Sequence, residues 1–134
     1  MIHLDTTFVV DAICESRRGE LGPARRWLSD HRGEALGLSV FVLSELLVGA
    51  ELHGDPLAER QRVLRVCGDL PVALPDAGLA PTYASVHAAL LRQGSPLATM
   101  DLLIACVALG AGAPLLTANH RTFSRIHGLR VLDY

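Results

Sequence analysis

IHLDTTFVVDAI, residues 2–13, combines the pattern of a strand with that of a helix. The apolar run Ile2–Leu4 is typical of a short buried strand, which Asp5 ends. An apolar helical segment then begins at Thr6 and runs to Ile13. The chain therefore starts with a strand that leads directly into a helix.

The same alternation continues along the rest of the chain. Further strands are predicted at Ala35–Leu38, Pro71–Leu74, Leu115–Thr117 and Leu129–Leu132. Helices are predicted at Pro23–His31, at Val40–Leu52 after a Ser39 cap, at 55–67, from an Asp76 cap to Arg92, around Asp101, and from an Asn119 cap to Ile126. This order favours a parallel α/β sandwich, and 134 residues suit a single domain over residues 1–134.

Composition excludes several classes of function. Half of the residues are hydrophobic and 19% are charged, so most of the chain should pack. The net charge of -2 provides no global positive field of the kind found in strongly basic nucleic-acid binders. All 12 basic residues are arginines, and the absence of lysine excludes P-loop, Schiff-base and kinase chemistry.

The cysteines and histidines do not predict a zinc or redox site. Cys14, Cys67 and Cys106 lie far apart without C-x-x-C spacing, which is typical of buried thiols in a reduced protein. The six histidines lack metal-binding spacing. The N-terminus has no secretory pattern, and glycines and a proline divide the apolar stretch 102–118, so we expect a cytoplasmic protein outside the membrane.

Polar side chains stand at places where a parallel sheet forms its sites. Asp5 and Asn119 each follow a predicted strand, at the carboxyl edge of the sheet. Glu45 shares a predicted apolar helix face with Phe41, Val48 and Leu52, and Asp101 begins another apolar helix. If the three carboxylates converge, oxygen ligands of this kind select Mg²⁺ or Mn²⁺.

Each of these residues also has a purely structural interpretation. Asp5 and Asn119 could cap helices, and Asp101 could favour the positive end of its helix dipole. Glu45 could form a buried ion pair with an arginine. These alternatives stay open at the level of the sequence.

Three segments together resemble a known family. They are MIHLDTTFVVDAI, SVFVLSELLVGA and SPLATMDLLIACVALGAGAPLLTANHRTFSRIHGLRVLDY. Their order, with LDT, an isolated Ser-Glu on an apolar helix, D-x-x-I-A and T-x-N-x-x-x-F, resembles the PIN domain of VapC-type bacterial toxins over essentially the full chain. The resemblance implies one PIN domain, a three-layer α/β/α sandwich with a short central parallel sheet.

By this resemblance the family's acidic metal ligands correspond to Asp5, Glu45 and Asp101. Its members commonly carry a further acid directly before the phenylalanine of the last motif, where this chain has Thr122 before Phe123. Supporting roles in orienting ligands or substrate are assigned to three residues, namely Thr6, Asn119 and Arg121.

The resemblance implies a Mg²⁺- or Mn²⁺-dependent endoribonuclease that hydrolyses a structured cellular RNA such as tRNA or rRNA. It also implies the toxin role in a type II toxin-antitoxin pair, a VapB-like antitoxin whose arginine enters the acidic pocket, and a homodimer. Because only 4% of the residues are aromatic, arginine contacts to phosphate, with Arg92 and Arg121 as candidates, should position the RNA. His120 is a further candidate for substrate contact.

Two other functions remain as alternatives. A phosphatase of the haloacid dehalogenase type also begins with a strand and an aspartate, but it needs a second aspartate where this chain has Thr7, and a lysine. A PIN-like module that binds RNA or protein without cleavage is consistent with the missing acid at Thr122. Metal-dependent cleavage would separate this module from the enzyme.

Overall fold

A computed structural model describes all 134 residues of the chain. Five strands form one sheet, and every pair of neighbouring strands is parallel. The predicted parallel α/β fold is therefore confirmed. The strands are Ile2–Leu4 (β1), Leu36–Ser39 (β2), Val72–Ala73 (β3), Leu115–Leu116 (β4) and Val131–Leu132 (β5).

Seven helices connect the strands. Two of them begin with a proline, one of these also has an aspartate cap, and a third helix has a serine cap; these residues fix where the three helices begin, as the sequence predicts. The helices are Thr6–Arg18 (α1), Pro23–Asp30 (α2), Val40–Glu51 (α3), Pro56–Cys67 (α4), Leu79–Arg92 (α5), Thr99–Gly110 (α6) and His120–Phe123 (α7).

The strand order β3-β2-β1-β4-β5 places β1 at the centre of the sheet. Strands β2 and β3 are added on one side of β1, and β4 and β5 are then added on its other side. Because crossovers between parallel strands are right-handed, we expect α1–α4 on one face and α5–α7 on the other. Helix α1 contacts α2, α3 and α4, and α5 contacts α6, in agreement with this arrangement; α3 also contacts α6. The expected three-layer α/β/α sandwich is confirmed.

This topology creates a crevice at the carboxyl ends of β1 and β4. Helices leave these two neighbouring strands toward opposite faces of the sheet, which opens a gap between the connecting loops. Asp5 follows β1 and Thr117 follows β4, and the Asp5 N–H donates to the Leu116 carbonyl at 3.0 Å. The first and last thirds of the chain therefore meet where the candidate site was expected.

The core consists of apolar side chains from both faces of the sheet. Helix α6 contributes most, because Leu102 and residues 104–108 are buried, as its uniformly apolar sequence predicts. Cys67 and Cys106 are buried and Cys14 is partly buried, and all three thiols are free. No helix has the length and apolar character needed to cross a membrane.

Several predicted boundaries were wrong. Helix α1 does not end at Ile13 but continues to Arg18, because no breaker precedes Gly19, which takes a left-handed conformation at φ 67°. Asp76 does not cap α5: its carboxylate accepts from the Gly78 N–H at 2.8 Å, which makes a turn before the helix.

Candidate acidic site

Asp5 lies at the end of β1, and its residue surface is only 4% exposed. Its Oδ2 accepts hydrogen bonds from the hydroxyls of Thr7, at 2.9 Å, and Thr117, at 2.7 Å. Asp5 occupies the N-cap position of α1, yet its side chain makes no capping hydrogen bond. The capping alternative therefore does not explain this aspartate, whose carboxylate faces the crevice between β1 and β4.

The two threonines that hold Asp5 were not singled out in the sequence. Thr117 is fully buried, and its oxygen accepts from the Asn119 N–H at 2.9 Å. Thr7 is exposed, and its oxygen accepts from the Ala118 N–H at 3.2 Å. The only sequence signal for either residue is a hydroxyl two positions from Asp5 or from Asn119.

Glu45 enters the site from the second turn of α3. Its carboxylate accepts a hydrogen bond from the Thr6 hydroxyl, so the structure places Thr6 beside an acidic candidate residue. No arginine forms an ion pair with Glu45, since the arginines that pair with carboxylates contact Glu51 and Glu59. The buried ion-pair alternative for Glu45 is therefore wrong.

The predicted helix face of Glu45 was also wrong. Val48 is 57% exposed and Leu52 is 83% exposed, so they do not form a buried stripe with Glu45. The buried face of α3 lies one position along and is formed by Val42, Leu46 and Ala50. Glu45 therefore stands half-buried at the edge of the core.

Asp101 lies in the first turn of α6 and is partly buried. Burial raises the pKa of this carboxyl above its ordinary value, and the negative charges of Asp5 and Glu45 raise the pKa further. The helix dipole alone would lower the pKa at this position. The pKa of Asp101 is nevertheless raised, first by burial and then by the charges of Asp5 and Glu45.

The donor set fits a hard divalent cation. Asp5, Glu45 and Asp101 offer carboxylate oxygens, which are the ligands that Mg²⁺ and Mn²⁺ prefer. Asp5 Oδ2 is taken by its two hydroxyl donors, while no protein hydrogen bond reaches Oδ1. As the side chains stand, no three His, Cys, Asp or Glu residues surround a common point as metal ligands. Side-chain rotation, above all of Glu45 away from Thr6, would have to complete the arrangement.

Three of the remaining candidates, Asn119, His120 and Arg121, lie directly after β4, and the fourth, Arg92, lies in α5. Asn119 is exposed at the N-cap of α7, but its side chain makes no capping hydrogen bond, which corrects the predicted cap. Arg121 on α7 is exposed and forms no ion pair. Arg92, in the last turn of α5, is likewise exposed and forms no ion pair. His120 contacts the Ser124 hydroxyl at 2.9 Å.

Comparisons with known proteins agree over most of the chain. The model of the PIN domain family matches residues 2–129. Ribonuclease VapC1 of Rickettsia felis is 32% identical over 135 residues, covering 96% of this chain and 92% of the relative. The tRNA(fMet)-specific endonuclease VapC of Shigella flexneri is 33% identical over 97 residues, covering 72% of this chain and 74% of the relative. The crystal structure of DNA-bound VapBC from Salmonella typhimurium matches with a TM-score of 0.86 and 28% identity, over 99% of this chain and 98% of that one.

Proposed function

The chain belongs to the PIN domain family and to its VapC ribonucleases, and on that premise we propose that it is a Mg²⁺- or Mn²⁺-dependent endoribonuclease. The observation that carries the proposal is the buried carboxylate of Asp5 at the end of β1, whose Oδ2 accepts from the hydroxyls of Thr7 and Thr117 while no protein hydrogen bond reaches Oδ1. Burial, and then the negative charges of Asp5 and Glu45, raise the pKa of Asp101. None of these three carboxylates has a positively charged partner in the protein, which is typical of a cation site.

In this proposal Asp5, Glu45 and Asp101 hold the cation. The bound metal would lower the pKa of the attacking water and stabilise the negative charge that develops on the phosphodiester. Thr7 and Thr117 fix the orientation of Asp5, and Thr6 holds Glu45 until it turns toward the cation. Asn119 and Arg121 lie on the loop and helix that follow β4, where a side-chain amide and a guanidinium could orient the RNA phosphate.

The proposed biological role is that of the toxin in a type II toxin-antitoxin pair in the cytoplasm. A relative is named as a tRNA(fMet)-specific endonuclease, which supports a structured RNA such as tRNA, with rRNA as the alternative target. A similar structure is a VapBC complex, which supports a VapB-like antitoxin as the partner. We expect an antitoxin arginine to pair with the three acids, and we expect the toxin to be a homodimer.

Thr122 keeps a second function as an alternative, that of a PIN domain that binds RNA or protein without cleavage. The acid that the family commonly carries before the phenylalanine is absent here, so one anionic ligand fewer is available for a second cation. A PIN domain that binds RNA or protein without cleaving would have the same fold. Cleavage that depends on a divalent cation distinguishes the two functions.

The deciding experiment is incubation of total cellular RNA with the purified, antitoxin-free protein in Mg²⁺, in Mn²⁺ and in EDTA. We expect discrete fragments that disappear in EDTA and with Asp5→Ala. Asp76→Ala is the matched control, because Asp76 is exposed and only forms a turn with Gly78. RNA that stays intact with both metals would favour the binding module.

A further inference from the structure

The charged residues are divided unevenly along the chain. Residues 1–76 carry 12 acidic side chains and 8 arginines, a net charge of -4, whereas residues 77–132 carry 4 arginines and 1 acid, a net charge of +3. That single acid is Asp101 of the candidate site. The overall charge of -2 therefore conceals a positive region, and such an asymmetry is typical of proteins that bind nucleic acid.

The fold collects the positive segment in one part of the molecule. Residues 77–132 contain α5, α6, β4, α7 and β5, and right-handed crossovers put these three helices on the face of the sheet opposite α1–α4. The arginines of the segment are all exposed and form no ion pair; they are Arg92, Arg121, Arg125 and Arg130. Their guanidinium groups are therefore available to an anionic partner.

A groove runs along α5 on this face. It follows α5 from Pro81 to Gln93, about 18 Å at 1.5 Å per residue, and includes Ala89. Arg125 and His127, which follow α7, form the opposite wall. The groove has a volume of about 530 Å³, and none of the residues that line it is acidic. An elongated anionic ligand therefore suits it.

Arg125 is the permanent charge of the groove. Its guanidinium has no hydrogen-bond or ion-pair partner in the protein, and this group can hold a phosphate through two parallel hydrogen bonds. The buried side chains of Leu90 and Ile126 also line the groove, and they offer apolar surface to the ribose and the base. Together these groups fit a nucleotide better than a simple inorganic anion.

Backbone connections link the groove to the acidic site. The Thr117 hydroxyl donates to Asp5 at 2.7 Å and accepts from the Asn119 N–H at 2.9 Å, and α7 begins at the next residue. Hydrogen bonds continue the helical turn to the Ile126 N–H, which donates to the Phe123 carbonyl at 3.0 Å. Arg125 therefore follows Arg121 by about one turn.

We propose that the groove along α5 holds the RNA strand beside the cleaved bond and that Arg125 binds one of its phosphates. This inference rests on the proposed function, because it takes RNA as the ligand. Contacts to phosphate position a nucleic acid without reading its sequence. The groove would thus determine where the strand lies and not which base is recognised.

The test is binding of fluorescently labelled tRNA, followed by anisotropy in EDTA. The purified full chain carries Asp101→Asn, which prevents cleavage. We expect Arg125→Gln to weaken binding several-fold and to reduce the salt slope of log affinity by about one. Arg26→Gln is the matched control, because it removes an exposed arginine without an ion pair from α2, and it should change neither quantity.

A carboxylate placed in the groove decides the question even if Arg125→Gln does not fold. Ala89→Glu should weaken tRNA binding by about tenfold, because like charges a few ångströms apart repel each other. Ala84→Glu is the control, since Ala84 lies on the same helix outside the groove, and both alanines are exposed. Equal weakening in the two glutamate variants, or in the two arginine variants, would assign the effect to overall charge and overturn the inference.

The remaining outcomes distinguish this inference from the proposed function. If Asp5→Ala abolishes RNA cleavage while Arg125→Gln and Ala89→Glu leave tRNA binding unchanged, the groove is wrong and the nuclease stands. If tRNA binding depends on the groove but neither metal supports cleavage, the nuclease is wrong and the groove stands. Phosphatidylglycerol vesicles that displace tRNA and depend equally on Arg125 would identify a membrane-binding surface and overturn the inference. A chain that neither binds nor cleaves RNA would contradict both proposals.

Discussion

The end of β1 and the first turn of α6 each carry one acid of the proposed cation site, Asp5 and Asp101, but the protein stabilises the two carboxylates differently. Asp5 is 4% exposed and accepts two hydroxyl hydrogen bonds. Asp101 receives no hydrogen bond from the protein, and burial with the charges of Asp5 and Glu45 raises its pKa. Hydrogen bonds thus hold the Asp5 carboxylate in place, whereas the Asp101 carboxylate lies where its negative charge is unfavourable.

Because of this difference, removing Asp5 and removing Asp101 should have different effects on stability. Hydrogen bonds to Asp5 contribute to folding as well as to orientation, so its removal should harm both. The ionised Asp101 opposes folding until a cation neutralises it, so its removal should harm function alone. The predictions below test this contrast, beginning with the effect that the two acids share.

The largest expected effect is on RNA cleavage, and it is the same for both acids. Asp5→Asn or Asp101→Asn should lower the rate by about 10²- to 10³-fold, the loss produced when one group that stabilises developing charge is removed. Single-turnover cleavage of a tRNA pool in Mn²⁺ measures it. Retention of wild-type cleavage by either variant would remove that acid from the site.

Stability in EDTA should separate the two acids. Asp5→Ala leaves the fully buried Thr117 hydroxyl without its acceptor, at a cost of about 1–3 kcal/mol. Asp101→Asn removes a charge that burial and the neighbouring acids disfavour, so it should raise the thermal midpoint. Thermal melts of both variants beside the wild type measure these changes, and a lower midpoint for Asp101→Asn would contradict the contrast.

The pH dependence of stability isolates the charge on Asp101. Its pKa is raised in the folded state, so the folded chain holds this proton more tightly than the unfolded chain does. In EDTA, the free energy of unfolding should therefore lose this contribution as the pH rises from the ordinary aspartate pKa through the raised one. Asp101→Asn should lack this pH-dependent contribution. Denaturant melts across that range should therefore show the free energies of unfolding of the wild type and the variant becoming more similar as the pH falls.

A smaller effect is expected from the hydroxyl that holds Asp5 from β4. Thr117→Val keeps the shape of the side chain but removes its donor to Asp5 and its acceptor for the Asn119 N–H. It should cost about 1–2 kcal/mol of stability and weaken Mn²⁺ binding about tenfold. Thr82→Val on α5 is the control, and equal Mn²⁺ affinity in the two variants would show that Thr117 does not orient Asp5.

The sequence predicted the sheet and most of the helices because several signals coincided. Proline at the start of α2 and α4 and the Ser39 cap of α3 agree with the apolar periodicity there. The start of α5 was missed because Asp76 fits a cap pattern as well as a turn pattern. Local patterns could not distinguish these two uses of the same side chain.

The candidate site shows a different limit of sequence reasoning. Asp5, Glu45 and Asp101 were identifiable because carboxylates are conspicuous beside apolar runs, although the assumed helix face of Glu45 was wrong. The contact between Thr117 and Asp5 spans 112 positions and exists only because β1 and β4 are neighbours in the sheet. Thr117 lies in a loop, where threonines are common, so the local sequence does not identify it as a partner of Asp5.

The smallest expected effect concerns Arg121, on the α7 side of the crevice. If its guanidinium contacts an RNA phosphate, Arg121→Ala should weaken tRNA binding several-fold and reduce the salt slope of log affinity by about one. Binding is measured by anisotropy of labelled tRNA in an Asp101→Asn background, which prevents cleavage. Arg130→Ala is the matched control, because Arg130 precedes β5 at the opposite, amino edge of the sheet. An equal change in both variants would assign the effect to overall charge, since only a local phosphate contact depends on which edge of the sheet carries the arginine.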